Sequence, residues 1–119
     1  MYKRQVLEVI DRDGLQQNSL EIGDYLLGRF AALQEKHDLI GDVRGRGLML
    51  GIELVTDRAT REPATAQCAH VWNTARENGL LIGKGGLKGN TLRIKPPMCI
   101  TRDDADFMVE VIGEALATA

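Results

Sequence analysis

The segment around Arg93 could bind a carboxylate. Side chains alternate between the two sides of a strand, so a strand over residues 91–95 has one polar and one apolar side. The polar side carries Thr91, Arg93 and Lys95, and the apolar side carries Leu92 and Ile94. Pro96 and Pro97 then end the strand, because proline donates no backbone hydrogen bond. The guanidinium of Arg93 can pair with a carboxylate through two hydrogen bonds, although the residues alone favour a solvated surface arginine.

Two glycine-containing loops could bind anions. The stretch 83–89 contains four glycines, but it fits neither common phosphate-binding pattern and a strand follows it, so a plain turn is favoured. Arg44 and Arg46 flank a glycine and could hold an anion. Pairing with Asp42 or Glu53 is the favoured interpretation, since arginines in such loops commonly find a carboxylate.

Metal and nucleophile sites have weaker support. Asp103, Asp104 and Asp106 lack the alternating ligands of a calcium loop, and we expect them to favour the N-terminus of a helix instead. His37 and His70 have no serine, cysteine or carboxylate at a recognisable spacing. The sequence therefore predicts no metal site and no catalytic triad.

Composition limits the possible partners. The 119 residues are 44% hydrophobic, enough for one core, and the formal charge of −2 offers no basic patch for nucleic acid. No apolar run is long enough to span a membrane, and the residues after Met1 do not resemble a targeting segment. Cys68 and Cys99 have apolar neighbours and no ligand spacing, so we expect two reduced core thiols.

The periodicity of apolar residues predicts four helices. They cover residues 3–13, residues 18–36 with Asn18 as the N-cap, a segment beginning near Pro63 and ending at Gly79, and a last helix opening at Thr101 with a capping box. The first helix is short and would expose its apolar face unless another segment covers it.

The strands are predicted between these helices. A glycine-punctuated loop over residues 39–47 leads to a strand at 48–55, which is apolar on both faces and should be central. A short buried strand at 80–83, a turn at 84–90 and the Arg93 strand follow. This order predicts an α+β fold with a mostly antiparallel short sheet covered by helices.

Three blocks of sequence resemble a known family. Residues 40–54, 78–86 and 92–101, in this order and spacing, are similar to the C-terminal part of class III pyridoxal-phosphate-dependent aminotransferases. Within that class, the chain looks most like the alanine-glyoxylate aminotransferase 2 branch. The resemblance extends over essentially all 119 residues.

The resemblance implies a place in a larger enzyme. Residues 1–119 would form the C-terminal small domain of a fold-type-I aminotransferase, and residues 1–14 would end the helix that leaves a large domain absent from this chain. Arg93 matches the substrate-carboxylate arginine of the family. Gly45 and Gly47 would be packing positions near the domain junction.

The same resemblance implies an activity. The parent enzyme would move an amino group from an alanine-like amino acid to glyoxylate or pyruvate, as a homodimer, in mitochondria if eukaryotic or in the cytoplasm if bacterial. Pyridoxal 5'-phosphate would be bound mainly by the large domain, and this chain alone should be inactive. None of its lysines matches the cofactor lysine of the family; they are Lys3, Lys36, Lys84, Lys88 and Lys95.

Two alternatives remain open. Other class III enzymes, acting on ornithine, acetylornithine or 4-aminobutyrate, share the same C-terminal architecture. The chain could also be a stand-alone α+β ligand-binding or assembly module that keeps the arginine strand without catalysis.

Overall fold

Four helices and five short strands make up residues 2–119, the part of the chain that this computed structural model describes. The helices are α1 (Tyr2–Arg12), α2 (Leu15–Lys36), α3 (Thr65–Glu77) and α4 (Arg102–Ala117). The strands are β1 (Ile40–Arg46), β2 (Met49–Asp57), β3 (Glu62–Pro63), β4 (Gly83–Gly85) and β5 (Thr91–Ile94). The α+β class predicted from the sequence is confirmed.

The sheet is antiparallel, with the strands in the order β1-β2-β5-β4 and β3 paired with the end of β2. The central position predicted for the strand at 48–55 is confirmed, because β2 lies between β1 and β5. The edge strand β4 pairs only with β5 along this path, and β5 carries Arg93.

One face of the sheet forms the core. Leu50, Ile52 and Leu54 of β2 are buried on this face, and the apolar side of β5 joins them. Helices α2, α3 and α4 contribute much of the remaining core, including Leu26, Phe30, Val71, Ala105, Met108 and Ile112. The amphipathic faces predicted for these three helices therefore all point to one core.

The other face of the sheet is open, although the sequence of β2 is apolar on both faces. Met49 is 70% exposed, and Gly51 and Glu53 are only partly covered. The three covering helices all pack on the opposite face, so apolar content alone did not reveal which face of β2 is buried. Arg93 projects from the open face.

The prediction of a loop at 39–47 was wrong. These residues contain β1, which forms a hairpin with β2 through Gly47 at a φ of 55°. A side chain at Gly45 would collide with the carbonyl oxygen of Met49. The glycines that suggested a loop instead permit the close approach of the two strands.

The predicted start of α2 was also wrong. The helix begins at Leu15, after Gly14 at a left-handed φ of 62°, so Asn18 lies inside the helix and does not cap it. Its side-chain amide instead donates to the carbonyl oxygens of Met98 at 2.8 Å and Ile100 at 2.9 Å. Asn18 therefore ties α2 to the segment that follows the Arg93 strand.

Two further boundaries differ from the sequence prediction. The strand expected at 80–83 lies at Gly83–Gly85, and Leu81 is 83% exposed. Helix α3 begins at Thr65, because Pro63 pairs with Val55 in the short strand β3. The turn predicted at 84–90 therefore begins at Gly86, after β4.

The cysteine prediction holds for one residue only. Cys68 is buried on α3, whereas Cys99 lies exposed in the turn after the two prolines. Both are free thiols. Cys99 was expected in the core because its neighbours are apolar, but its turn lies outside the sheet and the helices.

The first and the last helix agree with the predictions from the sequence. Helix α1 has no buried residue, and Val6 and Leu7 are exposed on it. Helix α4 has the predicted capping box between Thr101 and Asp104. Across residues 2–119, no helix combines the length and the apolar character that crossing a membrane requires.

Candidate substrate-carboxylate site

Arg93 lies in a row of four residues that crosses the open face of the sheet. Arg44 of β1 is paired with Gly51 of β2, Gly51 with Arg93 of β5, and Arg93 with Gly83 of β4. Directly opposite residues of antiparallel strands project to the same face. The side chain of Arg93 therefore has a glycine on each side.

The two arginines of this row have different electrostatic surroundings. Arg44 donates to Asp42 at 2.8 Å and lies 3.8 Å from a carboxylate oxygen of Glu53, so the predicted pairing of Arg44 is confirmed. Arg93 has no acidic side chain within 4 Å among residues 2–119. Arg46, for which the same pairing was predicted, likewise has none within the described chain.

Arg93 lines a cleft of about 600 Å³. The lining includes Arg93, Lys95, Met49, Leu81, Ile82 and Met108. Its charged groups are therefore Arg93 and Lys95, and the lining contains no aspartate or glutamate. An anionic ligand with a small apolar part fits this combination of charge and surface.

Trp72 holds the strand beside the cleft. Its indole N–H donates to the carbonyl oxygen of Ile82 at 2.8 Å, and the ammonium of Lys84 lies 5.4 Å from its ring centroid. The hydrogen bond holds the backbone directly before Gly83, and the second contact involves the side chain directly after it. The sequence predictions above do not include this role of Trp72. The one sign of it in the sequence is the indole N–H, which needs an acceptor when the ring is half-buried.

A second, charged pocket of about 380 Å³ lies at the β1–β2 side of the sheet. Asp42, Glu53, Arg58 and Arg61 line it. Because acidic and basic groups are mixed there, the pocket has no clear preference for an anion or a cation.

The described residues do not assemble a site for pyridoxal phosphate. Such a site needs a lysine, a carboxylate for the ring nitrogen and donors for the phosphate in one place. The cleft has Lys95 but no carboxylate, and the second pocket has two carboxylates but no lysine. These residues therefore do not fit the cofactor by themselves.

The remaining candidate groups lie elsewhere. The Nε2 atom of His70 is 2.8 Å from the hydroxyl of Thr118 at the end of α4, which is a structural contact. Burial raises the pKa of the Cys68 thiol to about 11, so this thiol is a poor nucleophile at neutral pH. In residues 2–119, no three potential metal-ligating side chains come together.

Comparison with known proteins decides the family. The family model described as aminotransferase class III matches residues 2–116. The chain belongs to the class III aminotransferases. The family predicted from the three sequence blocks is confirmed.

Relatives of this class III aminotransferase chain include two mitochondrial proteins. Alanine-glyoxylate aminotransferase 2 homolog 2 of Arabidopsis thaliana is 53% identical over 112 residues, covering 94% of this chain and 24% of the relative. Human alanine-glyoxylate aminotransferase 2 is 45% identical over 112 residues, covering 93% of this chain and 22% of the relative. The predicted likeness to this branch is confirmed. The chain spans about a quarter of the length of these relatives.

A solved structure agrees with the fold. An amine transaminase from an uncultivated Pseudomonas species, in its pyridoxal-phosphate-bound internal aldimine form, matches with a TM-score of 0.85 and 34% identity. The match covers 95% of this chain and 26% of the transaminase. The α+β arrangement described above therefore recurs as a part of a longer transaminase.

Proposed function

We propose that this chain is the C-terminal small domain of a longer class III aminotransferase and that Arg93 binds the substrate carboxylate. One observation carries the proposal: Arg93 has no acidic partner among residues 2–119 and faces a cleft without acidic lining, whereas Arg44 in the same row is paired. The share of the relatives that the chain spans supports its place in a longer protein.

The reaction we propose is transfer of an amino group from an alanine-like amino acid to a 2-oxo acid such as glyoxylate or pyruvate. The names of the plant and human relatives support this choice. Amino donor and oxo acceptor both carry a carboxylate, so one arginine can orient both. Holding the carboxylate in the guanidinium fork fixes the position of the reacting carbon, which lowers the entropic part of the barrier. Activity on ornithine, acetylornithine or 4-aminobutyrate is the alternative within the family.

The proposal assigns cofactor binding to the remainder of the enzyme. Pyridoxal phosphate supplies the electron sink for amino-group exchange when it is bound. Since the described lysines and carboxylates do not meet in one pocket, this chain would contribute recognition of the substrate carboxylate and domain closure. We therefore expect the purified 119-residue chain to be inactive, and measurable transamination by it would contradict the domain assignment.

Substitution of Arg93 in the full-length enzyme tests the proposed role. Arg93→Ala should raise KM for both amino and oxo acids and lower kcat, because both binding and orientation are lost. A lost charge-assisted hydrogen bond of about 1.5–3 kcal/mol corresponds to a loss in kcat/KM of roughly tenfold to 150-fold. Arg46→Ala is the matched control, since Arg46 is an exposed arginine of β1 that does not line the cleft.

The outcomes separate the alternatives. Unchanged kinetics in Arg93→Ala, with the cofactor absorbance intact, would remove Arg93 from the site. Tight binding of a small carboxylate by the isolated folded chain would instead support a stand-alone binding module. A panel of amino donors tested on the full-length enzyme would distinguish alanine from ornithine, acetylornithine and 4-aminobutyrate.

Assembly and location are also parts of the proposal. We expect the full-length enzyme to be a homodimer, and sedimentation of the purified protein would test this. The mitochondrial names of the plant and human relatives support mitochondrial residence for a eukaryotic form. Cytoplasmic residence of a bacterial form stays a prediction.

A further inference from the structure

Gly83 lies against the side chain of Arg93. The two residues are directly opposite in the β4–β5 ladder. A Cβ atom built on Gly83 would lie 3.1 Å from both the Cβ and the Nε of Arg93, and 3.4 Å from its carbonyl oxygen. Contacts near 3.1 Å are closer than ordinary van der Waals distance between such atoms. The Arg93 side chain therefore occupies space that any side chain at position 83 would need.

Gly51, the neighbour of Arg93 on the other side, has more free space beside it. A Cβ atom on Gly51 would lie 3.6 Å from Cγ2 of Thr91 and 4.0 Å from Cγ of Arg44, which are ordinary contact distances. No atom of Arg93 is among these nearest neighbours. The Arg93 side chain thus leans across β4 and away from Gly51.

Backbone conformation does not explain the glycine at position 83. Unlike Gly79 and Gly86, with φ values of 87° and 85°, Gly83 does not have a positive φ. Alanine can adopt the extended backbone of a strand. At position 83 it would not interrupt the hydrogen bonding of the edge strand β4 with β5. The missing side chain matters here because of the space that it leaves, not because of the backbone.

The β4 backbone cannot easily move away to make room. The carbonyl oxygen of Ile82 accepts the Trp72 indole hydrogen bond at 2.8 Å, and Lys84 lies over the same ring. The hydrogen bond holds the backbone of Ile82, directly before Gly83, while the contact of Lys84 involves only the end of its side chain. Of the three atoms that a methyl group at position 83 would meet, the Cβ and the carbonyl oxygen of Arg93 move only with the β5 backbone, whereas Nε moves by rotation of the side chain. The methyl group would therefore push the outer part of the Arg93 side chain away first.

We propose that Gly83 is a positioning residue, whose absent side chain lets Arg93 lie across β4 with its guanidinium at the cleft. The inference rests on the proposed carboxylate-binding role of Arg93. A contact of 3.1 Å requires the Arg93 side chain to shift by a few tenths of an ångström, and a shift of about 1 Å in a group that orients the substrate lowers the rate roughly a hundredfold. Gly83 acts through Arg93 and has no contact with substrate of its own in this proposal.

Gly83→Ala in the full-length enzyme tests the inference, with Gly51→Ala as the matched control on the other side of Arg93. We expect Gly83→Ala to lower kcat/KM for both amino and oxo acids about threefold to tenfold, and Gly51→Ala to change it less than about twofold. Thermal midpoint and cofactor absorbance should stay close to those of the parent in both variants.

A double-mutant cycle distinguishes positioning from a general structural effect. In an Arg93→Ala background the Gly83→Ala change should have no further effect on kcat/KM, because no arginine remains to be displaced. Additive losses, or equal losses in Gly83→Ala and Gly51→Ala, would overturn the inference. If Arg93→Ala lowers kcat/KM but Gly83→Ala does not, only the role of Gly83 fails; unchanged kinetics in Arg93→Ala would make the proposed function itself fail.

Discussion

Arg44 and Arg93 project from the same face of the sheet on opposite sides of Gly51, but only Arg44 has acidic partners within the described chain. Asp42 lies two residues before Arg44 on the same strand, and Glu53 lies two residues after Gly51. Both carboxylates are therefore engaged on the β1 side. Arg44 is thus neutralised by its neighbours. Arg93 has no such neighbour within the described chain, as the proposed role in binding a substrate carboxylate requires.

The second cation of the cleft should affect the choice of substrate. Lys95 follows Arg93 by two residues, directly after the end of β5, and both line the cleft. On the proposed function, Lys95→Met in the full-length enzyme should raise KM for dicarboxylic substrates about fivefold, because one exposed charge pair of up to about 1 kcal/mol is lost. Values for alanine, glyoxylate and pyruvate should change less than twofold.

Steady-state kinetics with monocarboxylic and dicarboxylic substrates at two salt concentrations measures this selectivity. The effect on dicarboxylates should shrink at high salt, since the interaction is exposed and screened. Lys88→Met is the matched control, because Lys88 is exposed in the turn between β4 and β5 and does not line the cleft. Equal changes in KM for monocarboxylic and dicarboxylic substrates would show that Lys95 does not bind a second carboxylate.

The two cysteines should differ in reactivity. Burial raises the pKa of Cys68 from 9.0 to about 11, with nearby Lys84 opposing the shift only in part. The thiolate is the reactive form, so at pH 8 its population at Cys68 is about a hundredfold below that of an ordinary thiol. We expect a maleimide to label Cys99 in the native protein and to leave Cys68 unmodified.

Peptide mapping by mass spectrometry after brief labelling measures this difference. Labelling of Cys68 should remain low up to pH 9 and should appear on unfolding in denaturant. Rapid labelling of Cys68 under native conditions would contradict its burial. Cys99→Ser should abolish the native labelling of this chain.

The capping box at Thr101 should control the start of α4. The Thr101 hydroxyl accepts from the backbone N–H of Asp104 at 3.2 Å, and the Thr101 backbone N–H donates to the Asp104 carboxylate at 3.1 Å. Thr101→Ala removes the first bond and should cost about 0.5–2 kcal/mol of local stability. Hydrogen exchange of the first turn of α4 should become roughly twofold to thirtyfold faster, and Thr101→Ser should restore it.

Acid should weaken the same cap. The backbone hydrogen bond from Thr101, and then the contact with its side chain, hold the pKa of Asp104 below its ordinary value of 3.8. A carboxyl with a lowered pKa stabilises the fold above the ordinary value, and this contribution is lost as the pH falls through the lowered one. Exchange in the first turn should therefore show no cap-dependent change between pH 5 and 7, and it should approach that of Asp104→Ala, which lacks the carboxylate, only in strong acid. A loss already at pH 5 would contradict the assignment.

Local patterns in the sequence predicted much of the fold. The amphipathic periods identified all four helices, the alternation at 91–94 identified both sides of β5, and Thr101 with Asp104 identified a cap. Each of these depends on residues within a few positions of one another. The errors at β1 and β4 have one cause: glycine-rich stretches look like loops, yet here the partner strands need the space that the missing side chains leave.

The family, the α+β class and the place of Arg93 on the polar side of a strand could all be predicted from the residues. The fold was needed to show that Arg93 has no acidic partner among residues 2–119, that Gly51 and Gly83 flank it, and that Asn18 holds the segment beyond it. Those relationships join residues far apart in the chain, such as Asn18 and Ile100 or Arg44 and Arg93. They depend on strand order and register, which many sequences with the same local patterns could satisfy differently.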